Sequence, residues 1–331
     1  MISFIVIGQN EGWRLTKCLE SVYKTIRKNK IELYEVIYVD SRSTDDSLEK
    51  AKKFNQIKIF QLTDTCNAAI GRNIGAIESK GNILFFIDGD MEIVPEFLPS
   101  IFDQTGNLKY DAVTGHLNDR FFSINANFLT EQPRTYKRQL PPNEIELITS
   151  GGILIIKRMF WNKIGGMRPK YRKSQDVDLI LRLRSIGIKT VRIPFLIAVH
   201  NTVDYRNVNR MWNILFKGHL LYSAVLLRDH LFNKWFFVQS LRQNYTSIVL
   251  LFTVLLSITL KSISFPIIIY LSILGIRVYL NTKSARKNNK YNYNLLYYIQ
   301  RFIFQALRDI SFPLSFLFYY PSGHELRYSK K

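Results

Sequence analysis

The chain has 331 residues, 47% of them hydrophobic and 22% charged, which excludes an intrinsically disordered chain and leaves room for a large α/β domain and more. Glycine at 16 and proline at 10 exclude collagen-like or low-complexity material, and two cysteines, Cys18 and Cys66, exclude a disulfide scaffold or a CxxC-type zinc site and fit a reducing compartment. Lysine and arginine total 46 against 26 acids, a net charge of +20, so a polyanionic partner or an anionic membrane surface is expected.

The first apolar run, Ile2 to Ile7, lacks a basic flank and is too short for a signal peptide, so it reads as a buried strand and the first domain is expected in the cytoplasm. Trp13 to Lys28 reads as a helix with Leu15, Cys18, Leu19, Val22 and Ile26 on one face. Strands follow at Glu35–Val39, Lys58–Leu62 and Asn82–Ile87, alternating with helices at Asp45–Phe54, where Ser43, Thr44 and Asp45 are cap candidates, and at Asn67–Ser79. That alternation predicts an α/β fold with a mostly parallel sheet, whose ligands sit beyond the carboxyl ends of the strands. The residues to watch are therefore Gly8, Gln9, Asn10 and Glu11, then Asp40 to Asp46, Asp64 to Arg72, and Asp88 to Asp90. Asp88-Gly89-Asp90 after a buried strand can hold a hard divalent cation, Mn²⁺ or Mg²⁺. Asp176-Val177-Asp178 opens a helix whose apolar face is Leu179, Leu183 and Ile186; for Asp178 a macrodipole role is the simpler reading, for Asp176 less so.

The last third differs. No Asp or Glu occurs from His230 to Arg308, and within that stretch lie two apolar runs, Tyr245 to Leu260 and Ile263 to Leu280. Their lengths are at the short end for crossing a bilayer, so a transmembrane or re-entrant helical hairpin is expected, with a buried helical pair as the alternative. Lys234 and Arg242 before the hairpin, and Lys283, Arg286, Lys287 and Lys290 after it, predict both ends on the cytoplasmic side, against anionic lipids. Met211 to Gln239 and Tyr297 to Tyr320 interleave aromatic and basic residues and read as amphipathic interfacial helices, compatible with a homodimer. The expected division is 1–204 for the catalytic domain, 205–243 for interfacial helices, 244–282 for the hairpin and 283–331 for a basic linker and amphipathic tail. The bases are spread along the chain and concentrate beside apolar helices, so no nucleic acid partner is expected.

Five segments in order, VIGQNEGWRLTKCLESV from Val6, VDSRSTDDSLEKA from Val39, GRNIGA from Gly71, DGD from Asp88, and SGGILIIKRMFWNKIGG through QDVDLILRLRSIG from Ser150 to Gly187, resemble the family 2 glycosyltransferases. The resemblance implies the GT-A nucleotide-sugar-binding fold. By the same resemblance, Gly8, Gln9, Asn10 and Glu11 line the base and ribose of a nucleotide, and Asp40 hydrogen-bonds the base, usually uracil. It further implies that Arg72 lies near the diphosphate or the metal acids. Asp88 and Asp90 match the metal-binding pair, with Asp90 the more direct ligand, and His200 is a candidate to complete the metal or diphosphate site. Ser150, Gly151 and Gly152 match the stretch beside donor sugar and acceptor. Asp176 matches the catalytic aspartate of a Glu-Asp-x-Asp-like motif in which Gln175 stands where glutamate is commoner, a departure on the acceptor side.

The function implied is an inverting, metal-dependent hexosyltransferase. It would move a sugar from a nucleotide-diphosphate donor, UDP-linked by the family's habit, to a hydroxyl of a membrane lipid-linked saccharide in cell-surface glycan synthesis. A polyprenyl-phosphate acceptor is the alternative, and a catalytically inactive membrane adaptor is the alternative of another class. Thr135 to Pro142 and the stretch Asn118 to Arg138 are candidate acceptor contacts. A processive polysaccharide synthase is disfavoured by the single short hairpin and by the lack of a Gln-x-x-Arg-Trp signature.

Overall fold

The computed structural model describes residues 1–123, 125–134, 143–147, 149–203, 209–289 and 294–331. It divides into two compact units, residues 1–204 with 322–331, and residues 205–321.

The first unit runs β1 (Ile2–Gly8), α1 (Trp13–Lys28), β2 (Tyr34–Asp40), α2 (Ser47–Lys52), β3 (Ile57–Leu62), α3 (Ala68–Glu78), β4 (Ile83–Asp88), β5 (Met91–Ile93), β6 (Ala112–Phe122), β7 (Phe128–Pro133), β8 (Ile145–Glu146), β9 (Ile153–Lys157), α4 (Arg158–Lys163), α5 (Gln175–Ser185) and β10 (Thr190–Val203). Alternation along β1 explains its apolar run, interrupted by Ser3 alone. Phe4 and Val6 enter the core under α1, with Leu15, Leu19 and Phe85, while Ile5 and Ile7 enter the core under α3 and α5, with Ile70, Ile74, Phe86, Trp161 and Leu179. Both faces are covered, so neither set is free to be polar. The α1 face predicted from periodicity is buried in full.

Strands β3, β2, β1 and β4 are parallel neighbours, as the alternation predicts. Beyond β4 the sheet turns mixed: β9 is antiparallel to β4 and to β6, β10 is parallel to β6, and β5 is antiparallel to β10. The second unit holds α6 (Asn209–Phe216), α7 (Tyr222–Asp229), α8 (Lys234–Gln243), α9 (Tyr245–Thr259), α10 (Ser264–Asn289) and α11 (Leu295–Phe318). The chain then returns to the first unit, where β11 (Tyr328–Lys330) pairs antiparallel with β3 and closes that edge. The segment expected as a basic linker and amphipathic tail thus ends in a short strand. The edge backbone of β3 needs hydrogen-bond partners, and the Tyr328 ring packs against Phe60.

The apolar runs become α9 and α10, but α8 and α9 meet at a 72° bend, and Ser264–Lys283 is the one described helix long and apolar enough by itself to cross a membrane. Phe252, Leu255 and Ile258 on α9 and Phe265, Ile268 and Ile276 on α10 are all exposed.

Candidate active site

The register builds the site. Gly8 lies opposite Asp40 and Ile7 opposite Asp88, so the loops that follow β1, β2 and β4 share one rim of the sheet. Two of them are stitched together. The Asn10 side-chain oxygen accepts from the Thr44 N–H at 2.8 Å, the Asn10 N–H donates to Ser43 Oγ at 2.9 Å, and Ser47 Oγ accepts from the N–H groups of Glu11 and Gly12. Of the cap candidates, Asp45 serves α2 by accepting from the Ser47 N–H, while Ser43 is drawn to Asn10 instead.

Asp40 has no exposed surface. Its carboxylate accepts from the Tyr38 hydroxyl at 2.9 Å, the Ser43 N–H at 2.9 Å and Gln61 Nε2 at 3.1 Å. Three donors already hold Asp40, so besides the base contact expected of it, it fixes the loop that carries Arg42. The open space lies beside that loop, a cavity of about 490 Å³ lined by Gln9, Arg42, Asp64, Thr65, Cys66 and Arg172.

The GRNIGA segment forms α3, started by Asn67, whose side chain accepts from the Ile70 N–H. A side chain at Gly75 would meet Ile5 Cγ2 at 2.2 Å, so glycine lets the helix lie directly on β1. That close approach delivers Arg72, almost fully buried, into an ion pair with Asp88. Asn73 bonds the backbone of Met167 in both directions, at 2.7 and 2.9 Å, and so ties α3 to the loop that leads into α5.

Glu11, Asp88 and Asp90 form an acid cluster. Burial and the nearby Asp90 push the Glu11 carboxyl up to about 7, against its ion pair with Arg14. Burial raises Asp88 to about 6, opposed by Arg72 and reinforced by Asp90. One oxygen of Asp90 meets His200 Nε2 at 3.1 Å; the other, Oδ1, is buried with no hydrogen-bond partner among the described residues. Burial disfavours a charged His200, but hydrogen bonds to Asp119 and Asp90 outweigh it and lift the imidazole to about 9. As an imidazolium between two carboxylates it supports Asp90. His200 thus stands beside the acid cluster, at the position expected of a residue that completes it.

The orphaned Asp90 oxygen and the crowded acids fit a hard divalent cation, with Asp90 and Asp88 as its holders. Among the described residues no three His, Cys, Asp or Glu side chains converge as a complete cage. A cation here would depend on oxygens brought by a substrate.

On the far side of the cluster, Ser150, Gly151 and Gly152 join the acids to Asp176. Thr149 Oγ1 donates to Asp176 Oδ2 at 2.5 Å, the Ser150 N–H donates to the same oxygen at 3.2 Å, and the Val177 N–H donates to Oδ1 at 2.9 Å. Gly152 has φ +104°, and a Cβ there would come within 2.7 Å of Asp88 Oδ2; its carbonyl accepts from the Asp88 N–H. No other residue fits this contact without displacing the acid. Gln175 is the first residue of α5, directly before Asp176. Asp178 is wholly buried, in ion pairs with Arg182 at 2.9 Å and Arg168 at 3.3 Å, so it is a packing charge and not merely a helix-end acid.

Sequence reading missed Asp119, Thr149 and the full role of Arg134. Arg134 holds Asp119 and the Gly151 carbonyl, and touches His200. Arg120, within the candidate acceptor stretch, pairs instead with Glu92 and Glu131. The other candidate acceptor segment, Thr135 to Pro142, lies outside the described residues.

Residues 3–165, most of the first unit, match the family model for glycosyl transferase family 2. The first unit belongs to glycosyl transferase family 2. An uncharacterized glycosyltransferase of Haemophilus influenzae is 27% identical to the chain over 190 residues, covering 55% of this chain and 62% of that protein. Glycosyltransferase AglE of Haloferax volcanii is 35% identical over 94 residues, covering 27% of this chain and 30% of that protein. The chain thus spans less than two thirds of either relative. Among solved structures, GalNAc-T7 crystallised with UDP, GalNAc and Mn²⁺ superposes with a TM-score of 0.48 at 16% identity, covering 61% of this chain and 44% of that one. In the family 2 unit, the matched region holds β1 to β9, hence Arg72, Asp88, Asp90 and the Ser150–Gly152 bridge; Asp176 and His200 lie beyond it.

Proposed function

We propose that the protein is an inverting glycosyltransferase that moves a hexose from a nucleotide-diphosphate sugar, UDP-linked, to a hydroxyl of a lipid-linked saccharide in cell-surface glycan synthesis. The observation that carries the reading is the bridge Ser150–Gly152, which ties a carboxylate held by neutral donors, Asp176, to the acid cluster of Asp88 and Asp90. One end of this arrangement suits a diphosphate, the other a proton acceptor, and the flat glycine backbone between them leaves room for a sugar.

The chain's own residues divide the work. Gln9 and Arg42, in the 490 Å³ cavity, take the nucleoside, and Asp40 holds their loops in place. Arg72 neutralises charge on the Asp88 side as the diphosphate leaves. Asp88 and Asp90 hold a divalent cation, Mn²⁺ or Mg²⁺, which when bound supplies positive charge to the leaving diphosphate. Asp176 accepts the proton of the acceptor hydroxyl as its oxygen attacks the anomeric carbon; the hydrogen bonds from Thr149 and Ser150 keep that carboxylate aimed. One displacement inverts the centre, so an α-linked donor is expected to give a β-linked product. The test is the anomeric proton coupling of the product made by the full chain, by NMR. An α-linked product would contradict a single displacement.

The second unit supports a membrane setting. The exposed apolar side chains of α9 and α10 form a surface that water does not suit, and the basic flanks favour the cytoplasmic leaflet, with the catalytic unit in the cytoplasm. Such an anchor keeps the enzyme where a lipid-borne acceptor resides. Membranes from cells making the full chain are expected to retain it through washes with high salt and then alkaline carbonate. Release by salt alone would reduce the attachment to electrostatics and reject insertion.

A further inference from the structure

Helices α9, α10 and α11 enclose a polar cluster that the transferase reading does not use. Arg301, Gln305 and Arg308 share one face of α11, spaced by four and three residues. Arg308 lies within electrostatic range of Arg301, of Arg277 on α10 and of Asp309. Arg277 is buried and Arg301 and Arg308 are half-buried, so three guanidiniums against one carboxylate leave this part of the unit with an excess of positive charge.

The carboxylate does not pair with any of them. Asp309 is fully buried and accepts from three neutral donors: Ser247 Oγ at 3.1 Å, Tyr270 hydroxyl at 3.2 Å and Gln305 Nε2 at 2.8 Å. Arg277 gives two of its five N–H donors to Thr246 Oγ1 and the Gln243 carbonyl and stands over the Tyr245 ring. Arg308 makes one hydrogen bond, to Asn244 Oδ1 at 2.8 Å, and Arg301 has only the weak acceptor Met211 Sδ, at 3.6 Å, among the described residues. Arg228, elsewhere in the same unit, shows what a purely structural arginine looks like here: it donates to the carbonyls of Ser315, Phe316 and Tyr319 at the end of α11 and covers the Tyr320 ring. Each guanidinium carries five N–H donors, and like charges held close together on half-buried side chains repel, so the spare donors of Arg301 and Arg308 call for an anion. Planar forked donors match phosphate oxygens better than any other common anion in a cell.

We propose that Arg277, Arg301 and Arg308 form a binding site for a phosphoryl group, phosphate or diphosphate, carried on a lipid. The site lies wholly in the helical unit, and the inference goes beyond the transferase reading and stands without it.

The test uses the full chain in a maltoside detergent, which has no phosphate, followed by thermal unfolding. Polyprenyl phosphate is expected to raise the melting temperature and neutral polyprenol to leave it unchanged. Pyrophosphate and inorganic phosphate form a second arm: a shift with them equal to that of the lipid assigns the site to the free anion, and a smaller one assigns it to the lipid-borne group. Failure of every phosphate to exceed polyprenol would overturn the proposal. Arg301→Gln and Arg308→Gln are each expected to weaken phosphate binding at least tenfold while leaving the ligand-free melting temperature the same or higher, since each removes a repelling charge. Arg308→Lys keeps the charge and is expected to retain part of the shift. A lower ligand-free melting temperature with the phosphate shift intact would make the arginines structural and also overturn the proposal. UDP binding by the same variants reports on the first unit separately.

Discussion

Replacing Asp176 by asparagine is expected to lower the rate of sugar transfer by about 10²- to 10⁴-fold, the range for loss of a positioned general base. The substitution keeps the shape and leaves an amide oxygen to accept from Thr149 and Ser150, so α5 should stay in place. What is lost is the capacity to take a proton. Affinity for the donor nucleotide is expected to be nearly unchanged, because Asp176 stands across the Ser150–Gly152 bridge from the Arg72–Asp88 ion pair. Steady-state transfer and UDP titration on the same preparation separate the two effects. Turnover within a factor of a few of the parent would remove Asp176 from its assigned role.

Asp178→Ala is expected to be the most damaging single change to stability in the family 2 unit. Asp178 is fully buried and faces Arg182 and Arg168; Arg182 also donates to the carbonyls of Ile164 and Gly166, at 2.7 Å each. Removing the carboxylate leaves a largely buried guanidinium without its counter-charge, a defect that costs about 3–5 kcal/mol. For a unit of this size that corresponds to a fall of roughly 10 °C in melting temperature. Asp178→Asn retains a hydrogen-bond acceptor and should lose less. A melting temperature within 2 °C or so of the parent for the alanine variant, on the same scale, would show that the pair is not carrying the loop into α5.

The parallel half of the sheet was legible because β1, β2 and β4 are buried on both faces and their apolar runs are bounded by polar rim loops. The antiparallel half was not. Strands β5 to β9 are short or mixed in character, and their pairing is set by partners far along the chain, such as Ile83 with Lys157. The closing strand β11 has only three residues, too few for a period to show. At the site, Asp88 and Asp90 at a strand end and Asp176 at a helix start lie where the sequence pattern puts them. Asp119 and Arg134 carry no such mark, because their meaning comes from His200, which lies on β10. Asp40 lies on the rim at the end of β2, and only the structure shows that Tyr38, two residues before it, and Gln61 on β3 also donate to its carboxylate. Asp178 shows the same limit. The sequence marks a helix-end acid, and only the packing shows two arginines against it.

The central claim is that the acid cluster, with a divalent cation, holds a nucleoside diphosphate. Calorimetric titration of the purified full chain with UDP, in Mn²⁺ and again in EDTA, tests it most directly. Binding is expected with Mn²⁺, strongly reduced in EDTA, and reduced likewise in Asp90→Ala with Mn²⁺ present, since Asp90 carries a buried oxygen that no group among the described residues satisfies. Mn²⁺ without nucleotide should bind weakly, because no complete cage exists among the described residues. Equal UDP affinity in Mn²⁺ and EDTA, or in the parent and Asp90→Ala, would contradict the account.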